Sequence, residues 1–144
     1  MSDLHVRPVR SDNELADWRH VHNVIIPGDP LSLDEVRERL GRNRLEVAYQ
    51  GELLVGCTTV RPPGDNGAVV IVRVLPEHRG HGIGQRLYTR ALEQARQLGG
   101  DRIETIVWAA NTGGLRFAQA AGFVEVSRYL PPGEDVPYLT LRLA

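Results

Sequence analysis

In this 144-residue chain the residues that speak most directly to chemistry are Arg79, Gly80, His81, Gly82, Ile83 and Gly84, which join an apolar strand to a helix. A helix start leaves its first backbone N–H groups without intrahelical partners. The three glycines remove side chains that would block those groups, and the helix macrodipole adds positive potential. Phosphate oxygens are suitable occupants, and Arg79 can add a charge-assisted contact. The pattern is not a P-loop, which needs lysine and then serine or threonine where Gln85 and Arg86 stand. It is not a dinucleotide fingerprint either, because one counted from Gly82 would require glycine or alanine at Leu87. A tight turn that holds no ligand is the plain alternative.

The elements that position this loop are legible from periodicity and punctuation. Leu4 to Val9 reads as a strand. Ser11 and Glu14, then Ser32 and Glu35, have the spacing of capping boxes. The first opens a helix with Leu15, Trp18, Val21, Val24 and Ile25 inward, stopped by Pro27, Gly28 and Pro30. The second opens a shorter helix with Leu33, Val36 and Leu40 inward, while Asp34, Glu35, Glu38 and the arginines between them face out. Leu45, Val47 and Tyr49 alternate with Glu46, Ala48 and Gln50, and Gly51 turns the chain into Leu53 to Arg61, a hairpin.

A turn at Pro62 to Gly67 leads into Ala68 to Leu75, apolar except for Arg73, as befits a central strand covered on both faces. After the glycine loop, Ile83, Leu87, Tyr88, Ala91, Leu92, Ala95 and Leu98 trace one helical face as far as Gly99 and Gly100. Ile103 to Trp108 is a strand, Asn111 to Ala121 a helix closed by Gly122, and Phe123 to Leu130 and Val136 to Leu143 are the last strands. The order mixes hairpins with a helix crossover. It predicts an α/β (α+β) fold, a mixed sheet flanked by helices rather than a doubly wound parallel one.

Composition bounds the function. With 42% hydrophobic residues the chain buries roughly two-thirds of its unfolded surface, which suits a single domain over 1–144. Seventeen basic against eighteen acidic residues, net −1, argue against nucleic acid as a partner. Cys57 is the single cysteine and reads as a packing residue, and the histidines show no metal-ligand spacing, so no metal is expected. No stretch is long and apolar enough for a membrane span, and a cytoplasmic protein is the default expectation.

The loop resembles the signature of the GNAT superfamily, the acyl-coenzyme A dependent N-acetyltransferases: Arg or Gln, two residues, Gly, one residue, Gly or Ala. Here that reads Arg79, Gly80, His81, Gly82, Ile83, Gly84, preceded by the family-like Val74, Leu75, Pro76, Glu77. The order of elements also follows the family over nearly the whole chain. The resemblance implies a mostly antiparallel central sheet and acetyl-CoA as acyl donor. Backbone around Val72, Arg73 and Val74 would meet the pantetheine arm in a splayed gap, and N–H groups from Arg79 through Gln85 would hold the pyrophosphate. Asn111 and Phe117 belong to a second family element beside the cofactor. Asn111 is equally a good helix N-cap. Gly113 and Gly114 suggest either close backbone approach or a frayed first turn.

Acyl transfer requires a neutral amine, yet one with pKa near ~10.4 is only about one part in a thousand neutral at physiological pH. The resemblance places an oxyanion donor on the central strand, the N–H near Val74. Glu104 reads as a direct or water-mediated base, or as a salt-bridged strand residue. His22, at the end of the first helix, is a candidate base or a surface histidine. Tyr129 and Tyr138 offer hydroxyls from the closing strands, while Tyr88 reads as structural. Many relatives carry a tyrosine after the aromatic equivalent to Phe117, acting on the departing thiolate; this chain has Ala118. The expected function is acetyl transfer from acetyl-CoA to the primary amine of an unidentified acceptor by direct attack in a ternary complex. A non-catalytic acyl-CoA-binding module is the alternative, and a nucleotide-binding protein the third. Relatives often form homodimers, though nothing in the composition requires it.

Overall fold

The helices begin where the sequence says they should. In the computed structural model, which describes residues 3–64 and 67–143, Ser11 Oγ accepts the Glu14 N–H at 3.1 Å and the Glu14 carboxylate accepts the Ser11 N–H at 2.9 Å. Ser32 and Glu35 repeat the exchange. These boxes open α1 (Asp12–Ile25) and α2 (Leu33–Leu40). The remaining elements are β1 (Leu4–Pro8), β2 (Arg44–Gln50), β3 (Leu53–Gly64), β4 (Gly67–Val74), α3 (Ile83–Gln97), β5 (Ile103–Trp108), α4 (Thr112–Ala120), β6 (Phe123–Tyr129) and β7 (Tyr138–Leu143). A 3₁₀ turn, Pro76–His78, leads from β4 to the glycine loop. No helix of the described residues is long and apolar enough to cross a membrane.

The strands form one sheet in the order β1-β2-β3-β4-β5-β7-β6, antiparallel throughout except between β4 and β5. Helices cover both faces. On one side α1 and α2 bury Leu15, Trp18, Val21 and Val36 against Leu45, Val47 and Cys57, and the Trp18 indole N–H donates to the Thr58 carbonyl at 3.1 Å. On the other, α3 sets Leu87 and Ile83 against Ala48 and Val55, and Tyr88 and Ala91 against Val60 and Val70. A mixed sheet flanked by helices is the architecture the element order predicts, and its mostly antiparallel character is what the resemblance implies.

Several sequence expectations need correction. Val24, Leu33 and Leu98, placed on inner faces, are exposed. Both faces of β2 are covered, because α3 lies over the side that carries Glu46, so Glu46 is 2% exposed and its carboxylate is held by Arg90 at 2.8 and 3.0 Å and by Gln94 at 3.1 Å. That bidentate pairing satisfies a carboxylate that would be costly to bury alone. Burial raises the Glu46 pKa, but the Arg90 and Gln94 hydrogen bonds outweigh it and leave the group below its ordinary value. β7 starts at Tyr138 rather than Val136: the Pro137 carbonyl still accepts the Ala109 N–H at 2.9 Å, but proline has no N–H to give the ladder in return. β3 runs on through Pro62 and Pro63 to Gly64 with a register shift after Arg61; Asp65 and Asn66 of the predicted turn lie outside the described residues.

The single parallel junction is the feature that matters for function. β4 and β5 pair only at Ala68 with Ile103 and Val69 with Glu104. Beyond these, β4 stays bonded to β3 as far as Gly56–Val74, and β5 to β7 as far as Trp108–Tyr138. Each strand follows its outer neighbour, and the two part toward their C-terminal ends.

Candidate functional site

Three features converge where β4 and β5 separate. The first is the glycine loop. Gly80 (φ 84°) and Gly82 (φ 77°) take left-handed backbone, which a residue with a Cβ adopts only with strain. This bends the loop so that the N–H groups of residues 80 to 85 meet no acceptor within the described residues. The Arg79 N–H, expected in the cradle, is instead used by the Pro76 carbonyl at 3.3 Å, so the free run starts at Gly80. The Arg79 guanidinium donates from Nε to the Val74 carbonyl at 3.0 Å and reaches the start of α4, where a Cβ on Gly113 would sit 3.4 Å from its Nη1. A Cβ on Gly114 would fall 2.5 Å from Asn111 Nδ2. The close approaches at Gly113 and Gly114 are therefore to Arg79 and Asn111. Asn111 Oδ1 accepts the Gly114 N–H at 3.1 Å, the N-cap role.

The second feature is the strand edge. Ala68 donates its N–H toward β5, to Arg102, whereas Leu75 donates toward β3, to Val55. N–H groups alternate in direction along a strand, so Val72 and Val74 present theirs to the gap. Arg73 presents its own to β3; its backbone therefore does not face the gap, contrary to the sequence expectation. The Val74 carbonyl is occupied by Arg79, which leaves Val74 N–H and both groups of Val72.

The third feature is a pair of cavities that meet through the gap. The larger, about 550 Å³, runs along the α3/α4 face past Val72, Val74, Gly80, Gly82, Gly84 and Phe117. The smaller, about 200 Å³, lies on the α1/α2 face. Val72, Arg73, Tyr88, Asn111 and Gly114 line both. Tyr88, expected to be structural, stacks on Phe117 with ring centres 5.3 Å apart and so reaches this junction. Phe117 can lie there because Gly84 has no Cβ: one would sit 3.2 Å from its ring. Ala118 is fully buried.

The candidate catalytic residues separate. His22 and Tyr138 line the smaller cavity. His22 is 3% exposed, not a surface histidine, and stacks on Trp18 one turn earlier. Its Nδ1 contacts Asn23 Oδ1 at 3.0 Å. Asn23 is oriented by Leu31, to which it donates from Nδ2 at 3.1 Å and from whose N–H its Oδ1 accepts at 2.9 Å. The His22 proton therefore sits on Nδ1, leaving Nε2 with a lone pair. Burial, reinforced by Arg73, pulls the His22 pKa down to about 4 and keeps the ring neutral. Burial, then Glu134 and Asp29, raises the Tyr138 phenol.

Glu104 and Tyr129 line neither cavity. The Glu104 carboxylate is held by Arg142, directly opposite on β7, at 2.7 and 3.0 Å, which corrects its candidacy as a base. Tyr129 is 62% exposed on the edge strand β6, where it pairs with Tyr138 but lines neither cavity. Sequence reading also missed three side chains. Arg39 from α2, Arg61 from β3 and Arg73 from β4 are half-buried around the smaller cavity, and none is ion-paired among the described residues. Arg39 had been placed on an outward face.

A run of free N–H groups at a left-handed glycine loop, beside a split sheet with an open strand edge, is suited to hold a diphosphate and an extended amide-bearing arm. Comparisons with known proteins bear on the fold and on the family. The fold matches a candidate phosphinothricin N-acetyltransferase (20% identity, 98% of each chain covered, TM-score 0.79) and an N-acetyltransferase from Staphylococcus aureus Mu50 (16%, 99% of this chain and 98% of that one, TM-score 0.79). It also matches a GNAT family acetyltransferase from Elizabethkingia anophelis with acetyl-CoA bound (15%, 99% of both chains, TM-score 0.76). No curated protein matches the chain. The model of the Acetyltransferase (GNAT) family matches residues 13–123, from α1 through the loop to the start of β6, and the chain belongs to that family.

Proposed function

We propose that this chain is a single-domain N-acetyltransferase that moves an acetyl group from acetyl-CoA to a primary amine by direct attack in a ternary complex. The observation that carries the proposal is the meeting of two cavities at the β4/β5 split, one lined by the diphosphate loop and the other by α1 and α2. When bound, acetyl-CoA supplies an acyl thioester. Gly80 to Gln85 would hold its diphosphate and Val72 its amide-bearing arm, which brings the reactive end to Val74, Tyr88 and Asn111.

At that point the chain's own groups divide the work. The Val74 N–H faces the gap and donates to the carbonyl oxygen on which charge develops. The amine enters from the α1/α2 side. The guanidiniums that help keep His22 neutral also disfavour an ammonium, so the cavity selects the free amine. His22 Nε2, or water beside it, takes the proton released as the C–N bond forms. Tyr88 is the phenol that lines both cavities, and it stands beside Phe117 where Ala118 offers no hydroxyl. It donates to the departing sulfur, and a thiol of pKa about 8.5 needs little assistance.

The test is thiol release from acetyl-CoA across a panel of primary amines, with the N-acetylated product identified by mass spectrometry. Amine-dependent thiol release matched by product supports the reading. Tight coenzyme A binding with no amine-dependent release would favour a non-catalytic acyl-CoA-binding module instead.

A further inference from the structure

Arg39, Arg61 and Arg73 come from three different elements, yet they converge on one cavity of about 200 Å³. Against them the cavity wall sets one carboxylate, Asp29, in a chain whose net charge is −1. Guanidiniums are usually half-buried together only where something compensates them, because desolvated like charges repel. Glu46 and Glu104 compensate Arg90 and Arg142 in this way elsewhere in the molecule. Around the cavity neither Asp29 nor Glu134, which acts on Tyr138, forms an ion pair with any of the three arginines among the described residues. The repulsion is felt: burial first, then Arg39 and Arg73, hold Arg61 below its ordinary pKa.

We infer that the acceptor is a small primary amine carrying an anionic group, a carboxylate or a phosphonate, that Arg39, Arg61 and Arg73 bind. Planar guanidiniums match either group in a bidentate manner. Arg73 also lines the junction with the donor cavity, so an anion seated on the three arginines leaves a short carbon chain to carry the amine to the gap. The volume, about 200 Å³, suits a small molecule. The inference rests on the acetyl-transfer reading. In that reaction the amine nitrogen bonds to the thioester carbon, the C–S bond breaks, one proton leaves nitrogen, and the sulfur departs as thiolate and is protonated.

The experiment compares glutamate, β-alanine and 2-aminoethylphosphonate with glutamate diamide, ethylamine and putrescine, by thiol release and by calorimetry on the protein saturated with coenzyme A. Anionic amines should be preferred over their neutral counterparts by roughly 10- to 100-fold, the worth of a charged hydrogen bond. Arg61→Gln should erase the preference mainly through KM, Arg61→Lys should keep part of it, and Arg128→Gln, on the distant β6, should change nothing. Amides or diamines used as well as the acids, or an Arg61→Gln loss that is equal for every amine, would overturn the inference. If no amine releases thiol, the acetyl-transfer reading fails separately and calorimetry decides this one: anionic amines that bind and lose affinity in Arg61→Gln sustain it, and their failure to bind refutes it.

Discussion

Gly82→Ala perturbs the loop at the residue where its geometry is most demanding. Gly82 caps α3 with φ 77° and ψ 4°, and a Cβ there would have no heavy atom within 4 Å. The substitution therefore creates no clash in the free protein; its cost is the left-handed backbone, about 1–2 kcal/mol. If the loop holds its shape, the melting temperature falls by about 3–8 °C. If it relaxes, the N–H run turns away from the diphosphate, and losing one or two charge-assisted hydrogen bonds of about 1.5–3 kcal/mol each weakens coenzyme A binding by at least ~10-fold. Gly51→Ala is the control, because Gly51 in the β2–β3 turn has φ 62° and equally open surroundings. It should show the same loss of stability with unchanged affinity. Thermal melts and calorimetric titration with coenzyme A separate the two effects. Coenzyme A affinity in Gly82→Ala within about threefold of the parent together with an undiminished melting temperature, the mark of a relaxed loop, would refute the cradle.

Other outcomes follow from the same geometry. Glu104→Gln, which breaks the pair with Arg142, should cost about 1–3 kcal/mol in denaturant melts and leave thiol release unchanged, whereas a general base would cost ~100-fold or more in rate. His22 makes stability pH-dependent. Its folded pKa of about 4 lies below the usual value of 6.5, so the unfolded chain binds more protons between these values; stability is fully present above 6.5 and falls as pH drops toward 4. The loss amounts to about 3 kcal/mol, and His22→Gln should flatten that part of the profile; a slope unchanged in the variant would exclude His22 as its source. Cys57 is fully buried and its thiol is pushed up to about 12, first by burial, so a thiol reagent should leave the native protein unmodified and react only after unfolding.

What the sequence revealed and what it hid follow one physical division. Capping boxes, glycine turns and helical stripes are local, so Ser11–Glu14, Ser32–Glu35 and the loop at Arg79–Gly84 were readable, as was the fold class built from their order. Contacts set by sheet register were not. Glu104 meets Arg142 only because β7 returns beside β5, and Glu46 is buried only because α3 crosses behind β2. The arginine cluster is the extreme case, since Arg39 and Arg61 each read alone as an ordinary solvated charge, and Arg73, the one charge on a strand read as covered, gives no hint of the other two. The burial of His22 could have been read as well. This residue follows Trp18 by four residues, on the same face as Leu15 and Ile25, where burial is the expectation.

The most direct test of the cleft is residue-resolved amide hydrogen exchange with and without acetyl-CoA. Among the described residues the N–H groups of Gly80 through Gln85, together with those of Val72 and Val74, meet no acceptor, and they should become strongly protected. Arg73, whose N–H already serves the β3–β4 ladder, should change little. Protection confined to other segments, or none at the loop and at the alternating β4 positions, would contradict the account.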